Sequence, residues 1–159
     1  MLFAVLAAIT FVASTGSSAW ANGRFPLADQ LVVSPGNSSF MVLRTTFGLL
    51  VSEDGGGSWD WVCEKAIGYE GEQDPAIGIL ESSAILAGTY EGLSVSPDLG
   101  CSWAFVPDGL AEQFVVDVVV RPDAPRSALA VAKSYAAAGD AGEPAGAARL
   151  FGSTDDGKT

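Results

Sequence analysis

The sequence predicts an all-β fold of repeated four-stranded antiparallel blades, and three observations predict it. A block of 44 residues recurs within the chain, each copy holds short alternating or apolar runs, and turn-forming residues punctuate them, with 19 Gly and 8 Pro among 159 residues. Residues 45–62 (TTFGLLVSEDGGGSWDWV) and 89–106 (TYEGLSVSPDLGCSWAFV) are identical at ten of 18 positions. A third copy opens at Ser153, 57 residues after the second.

Composition sets outer limits on function. Eight Lys and Arg against 19 Asp and Glu leave a net charge of −11, the wrong sign for binding nucleic acid or an anionic membrane. The chain has no His, which removes His-based triads and His metal sites, and two Cys cannot build a four-cysteine zinc site. At 48% hydrophobic residues it can bury a core.

The first element is a leader. Met1–Val12 is apolar and uncharged, too short for a bilayer span of about 20 residues. Small residues follow to Ala19-Trp20-Ala21, an A-x-A pattern with cleavage expected after Ala21, although no Lys or Arg precedes the apolar run. The alternative is a buried strand or helix of the domain. Residues 1–21 are therefore expected to be a signal peptide, and 22–159 an exported chain, periplasmic or extracellular, with no membrane contact after cleavage.

Three blades are expected after it, over about 27–64, 75–110 and 114–159. In the first, strands are expected at Gln30–Ser34, Phe40–Thr45, Gly48–Ser52 and Trp59–Cys63. In the second they fall at Ala76–Leu80, Ala84–Thr89, Gly92–Ser96 and Trp103–Pro107. In the third they fall at Val115–Arg121, Ser127–Ser134 and Arg149–Ser153, with Ala136–Ala148 as an inserted small-residue loop. Tyr69–Asp74 and Pro107–Gln113 are polar links. Four short strands per roughly 44 residues make a propeller blade, so the fold class is a partial β-propeller of about two and a half to three blades. The third copy reaches Thr159, one residue before its expected Trp. The expectation is a fragment of a longer propeller; the alternative is a short chain that closes by self-association.

The shared pattern is S-x-D-x-G-x-[ST]-W: Ser52, Asp54, Gly56, Ser58 and Trp59, then Ser96, Asp98, Gly100, Ser102 and Trp103, then Ser153, Asp155, Gly157 and Thr159. Each residue suits a self-satisfied hairpin. The Asp accepts backbone N–H groups of its own turn, the Gly supplies positive φ, the hydroxyl bonds the turn, and the Trp begins the return strand and covers the hairpin. No metal or acid role is expected for these carboxylates.

Residues 52–59 and 96–103 resemble Asp-box (BNR) repeats, found in the β-propellers of sialidases, sortilin-type receptor domains and photosystem II assembly-factor-like proteins. The resemblance spans roughly residues 30–159. In those families the box is structural and lies away from the active site, so it implies a fold rather than an activity. Arg24-Phe25-Pro26 also resembles the Arg-Ile-Pro motif of sialidases, where an Arg would pair a sugar carboxylate bidentately. A sialidase site needs two further converging Arg, a Tyr with a Glu partner, and an Asp acid. The chain has five Arg, at 24, 44, 121, 126 and 149; Arg121 and Arg126 flank a turn, and neither Tyr69-Glu70 nor Tyr90-Glu91 makes a justified pair.

Cys63 and Cys101 are expected to form a disulfide stapling the first two blades, closing a 39-residue loop and adding about 3–4 kcal/mol; the alternative is two buried thiols. Glu70, Glu72 and Asp74 would suit Ca²⁺ as oxygen donors but meet no known loop spacing, so a solvated acidic loop is expected. Asn37-Ser38-Ser39 fits a glycosylation sequon. The expected function is binding or scaffolding, without catalytic residues, cofactor or metal, toward a protein or glycan partner and not toward nucleic acid. The alternative is a sialidase-like glycoside hydrolase whose catalytic residues lie mostly outside these residues.

Overall fold

The computed structural model describes residues 24–107, 109–134 and 146–158. The expected leader 1–21, most of the expected loop Ala136–Ala148, and Thr159 lie outside the described residues.

Among the described residues, eleven strands and one helical turn follow in order: β1 (Ala28–Val33), β2 (Met41–Thr45), β3 (Gly48–Ser52), β4 (Asp60–Val62), α1 (Glu64–Ile67), β5 (Ala76–Ile79), β6 (Ile85–Gly88), β7 (Leu93–Ser96), β8 (Ala104–Phe105), β9 (Gln113–Arg121), β10 (Ala124–Ser134) and β11 (Ala148–Ser153). They form three antiparallel sheets in strand orders β1-β2-β3-β4, β5-β6-β7-β8 and β11-β10-β9. This is a nearly all-β, partial propeller-like fold, each sheet packing on the next.

Alternation decides the packing. In sheet 1, Val42, Leu49 and Val51 face sheet 2 and meet Ile77, Ile79, Ile85 and Ala87 in a first core that also takes Phe40, Ile67 and Tyr69. In sheet 2, the opposite side chains Leu86 and Leu93 meet Val115, Val118, Ala128, Ala130 and Ala132 of sheet 3 in a second core. Two glycines bring sheets 2 and 3 close: a Cβ on Gly88 would lie 2.7 Å from Val115 Cγ1, and one on Gly78 3.1 Å from Val120 Cγ2. Small residues facing large ones let the sheets interdigitate.

Some boundaries differ from expectation for physical reasons. Strand β8 covers only Ala104–Phe105, because Trp103 turns its indole back onto Gly100 and Pro107 has no N–H to give the ladder. Strand β1 starts at Ala28, across a register shift between Ala28 and Gln30. The turn α1 was not expected. It starts from the extended Cys63, carries Glu64 in its first turn, and stops at Gly68 with φ 107°. Ile67 is buried at its end, and its carbonyl accepts the Ser94 hydroxyl at 2.6 Å.

Candidate functional site

The two ends of the blades differ in chemistry. At one end lie the three motif turns. Ser52 donates its hydroxyl to Asp54 Oδ1 at 2.9 Å and accepts the Gly56 N–H at 2.9 Å. Asp54 Oδ1 also takes the Ser58 N–H at 2.8 Å, and Oδ2 takes the Ser58 hydroxyl at 2.7 Å. The second turn repeats this: Ser96 to Asp98 at 3.0 Å, Gly100 N–H to Ser96 at 2.8 Å, and Ser102 to both Asp98 oxygens at 2.8 and 2.6 Å. In the third, Ser153 donates to Asp155 at 2.8 Å and the Gly157 N–H reaches Ser153 at 3.1 Å.

Electrostatics follow from this geometry. Three donated hydrogen bonds, the Ser58 hydroxyl foremost, hold the Asp54 carboxyl down at about 2, and the Ser102 hydroxyl does most to lower that of Asp98. Gly56, Gly100 and Gly157 all have positive φ. Gly100 sits against the preceding blade, where a Cβ would lie 3.4 Å from Val51 and Val62 side-chain atoms, and Trp103 packs on that blade's core. Gly157 likewise meets Leu80 and Leu86 of sheet 2. Gly56 meets only its own Trp59 and Met41, and Trp59 is exposed.

The expected disulfide is not formed: Cys63 is a half-buried free thiol and Cys101 an exposed one. The chain segments do approach, since Val62 points at the Gly100 turn.

At the opposite end, the β2–β3 and β6–β7 loops and the link into β5 hold a polar network. Arg24 grips Asp74 with both guanidinium nitrogens, at 2.9 and 2.7 Å, and also donates to the Gln73 carbonyl at 3.4 Å. The Arg24 hydrogen bond lowers the Asp74 pKa. Arg44 donates to the carbonyl of Pro75 at 3.2 Å, while its buried Nε has no partner. Gln73 is buried; it donates to Glu91 Oε1 at 3.0 Å and accepts the Tyr90 N–H at 3.0 Å. Tyr90 stacks edge-on with Phe114 at 4.5 Å, and Phe25 is exposed beside the loops.

These observations bear on several expectations. Asp74 is exposed, as expected of a solvated acidic loop, and is in addition the partner of Arg24, while Glu70 pairs with exposed Lys65 at 3.3 Å. Arg121 and Arg126 both stay on the surface, Arg121 with Asp123 and Arg126 with Asp156 of the third motif turn at 2.8 Å. Tyr69 is buried in the first core, its hydroxyl is without a partner, and burial pushes its pKa up, the reverse of what an activated nucleophile requires. Among the described residues no three His, Cys, Asp or Glu are placed to hold a metal ion. Asn37 is exposed and closes a turn by accepting the Ser39 N–H at 3.1 Å. Sequence reasoning missed Gln73 and Arg44, which carried no motif signal.

No protein-family model and no curated protein matches the chain. Two solved structures are similar in fold. An ancestral GH74 enzyme superposes with a TM-score of 0.60 and 21% identity, over 87% of this chain and 18% of that one. The GH74 enzyme of Niastella koreensis superposes with a TM-score of 0.58 and 18% identity, over 83% of this chain and 22% of that one. The chain thus spans about a fifth of the length of these solved proteins.

Proposed function

We propose that the chain is part of an exported Asp-box β-propeller that works by binding, without catalytic residues of its own, toward a protein or glycan partner. The observation that supports this reading is the internal pairing of the loop end. The Arg24 fork is already filled by Asp74, and the Gln73 amide by Glu91, while Phe25 and Tyr90 stay exposed beside them. Aromatic faces next to fixed polar groups suit stacking against a sugar ring or a partner's side chain. A glycosidase needs a carboxyl kept protonated beside an ionised one. The four described carboxylates whose pKa values move, Asp54, Asp74, Asp98 and Asp123, all move down. Export rests on the leader pattern alone.

The second reading is a glycoside hydrolase, favoured by the likeness in fold to GH74 enzymes. On that reading the catalytic residues lie mostly outside residues 1–159. A panel of fluorogenic sialosides and glucosides, run beside a glycan array, separates the two. Retention on glycans without turnover supports the binding reading; turnover well above the uncatalysed rate replaces it with the hydrolase.

A further inference from the structure

Between sheets 2 and 3, at the loop end of the blades, lies an open pocket of about 130 Å³ whose walls include Gln73, Asp74, Pro75, Tyr90, Phe114 and Val115. Strand pairing sets its shape. Tyr90 follows β6 and Phe114 lies near the start of β9, and the Val115 N–H donates to the Thr89 carbonyl at 2.9 Å. The two rings are thereby held edge to face at 4.5 Å and 74°, with Tyr90 43% exposed.

The polar groups around this pocket divide unequally into donors and acceptors. Buried Gln73 directs its Nε2 to Glu91 Oε1 and Oε2 at 3.0 and 3.1 Å and to the Glu70 carbonyl at 3.4 Å, and its Oε1 takes the Tyr90 N–H. Arg24 turns both terminal nitrogens onto Asp74. Arg44 donates to the Pro75 carbonyl and does not line the pocket. The donors of Gln73 and Arg24 are thus committed within the chain, whereas a carboxylate offers about four lone-pair sites and Glu91 keeps acceptor capacity to spare. The Glu112 N–H donates to the Glu91 carbonyl at 2.9 Å, which brings a further carboxylate to the same rim. Arg24 neutralises Asp74, but neither Glu91 nor Glu112 has an ion pair among the described residues.

Sugar hydroxyls are matched by donors as well as acceptors, whereas an ammonium or guanidinium carries donors only and is drawn to carboxylates and aromatic rings. We propose that this pocket takes the cationic end of a lysine or arginine side chain from a basic segment of a partner protein, with Glu91 and Glu112 balancing its charge and Tyr90 and Phe114 lying against its stem. The inference rests on the binding reading above and chooses the protein partner over the glycan. A net charge of −11 favours encounter with a basic partner. Phe25, 80% exposed at the same end, offers the rest of such a segment an apolar contact that a free amine would leave unused.

Titration of the isotope-labelled full chain, followed through its amide NMR spectrum, tests this with end-blocked Gly-Ser peptides that carry one Arg, one Lys or one norleucine, the last an uncharged stand-in for Lys. The expected result is shifts at Gly88, Tyr90, Phe114 and Val116 with the Arg and Lys peptides and none with norleucine. Binding should weaken about threefold for Glu91→Gln, which keeps an acceptor for Gln73, and for Tyr90→Leu. Glu53→Gln removes the same charge from an exposed position in the first motif turn, at the other end of the blades, and should leave the affinity unchanged. Matching thermal melts check that the variants fold. Norleucine binding as tightly as lysine, shifts confined to the motif turns, or equal losses for Glu91→Gln and Glu53→Gln each overturn the proposal. Spermidine binding as tightly as the Lys peptide overturns it too, by giving the pocket to a free polyamine. If the glycan array retains the chain while the peptides shift nothing, the cationic ligand falls and the binding reading stands. Turnover of a glycoside removes the binding reading itself, and that readout is independent of the peptides.

Discussion

Ser96 donates its hydroxyl to Asp98 Oδ1 at 3.0 Å while accepting the Gly100 N–H at 2.8 Å, so one fully buried oxygen joins both sides of the second motif turn. Removing it leaves a turn N–H and a carboxylate each short of a partner. Ser96→Ala is expected to cost about 1–2 kcal/mol, the penalty of stranding a buried donor. Urea unfolding reads this directly as a lower midpoint at constant slope. An unmoved midpoint would remove the structural role assigned to the hydroxyl.

The motif carboxylates give the fold a pH dependence of known sign. Asp54 is held near 2 when folded, below its ordinary value of about 3.9. Its folded pKa is depressed, so it contributes stability above the unfolded value, which is lost as pH falls from about 4 toward 2. Asp98 shifts the same way. Unfolding midpoints measured across this window should fall with pH, and Asp54→Asn should flatten the slope. Equal slopes for parent and variant would place the acid sensitivity elsewhere.

What the sequence displayed was what the repeat repeats. Strand β3 lies where expected, at Gly48–Ser52, because the motif fixes its end and the preceding Thr-x-x-Gly fixes its start. Both Thr45 and Thr89 donate their hydroxyls to a carbonyl three residues on, at 2.9 Å, so identical residues at a shift of 44 carry identical turns. Features outside the repeat were invisible. The four-residue α1 is too short to show a helical period. Arg24 and Asp74 are 50 residues apart and meet only because β1 and the link into β5 share one end of the blades. Gln73 lies in an acidic stretch that looks solvated, yet it is buried because the β6–β7 loop offers it both a carboxylate and an N–H.

Gly48 and Gly55 test whether positive φ or close approach limits substitution. Both have positive φ, 116° and 77°. A Cβ on Gly55 meets nothing within 4 Å, whereas one on Gly48 would lie 2.3 Å from the Val62 carbonyl oxygen. Gly55→Ala should cost only the left-handed backbone penalty of about 1–2 kcal/mol. Gly48→Ala must in addition push β3 off β4, so its thermal midpoint should fall well below that of Gly55→Ala. Equal losses would mean that the β3–β4 edge yields freely.

The free thiols distinguish two accounts of how sheets 1 and 2 are held together. Gly100 meets Val51, Val62 and Ile85 side chains, and Leu99 and Trp103 join the first core, so packing already joins the second motif turn to sheet 1 without a covalent bond. Cys101 is exposed on that turn, and Cys63 is half-buried at the start of α1. Alkylation of the native chain without reductant should therefore add two adducts, Cys101 before Cys63, as followed by peptide mass spectrometry. Replacing the exposed Cys101 by Ser should leave the stability within about 0.5 kcal/mol of the parent, as for surface substitutions away from caps, cores and cross-links. A single peptide linking Cys63 to Cys101, together with a midpoint lowered by reductant, would instead give the covalent staple the role assigned here to packing.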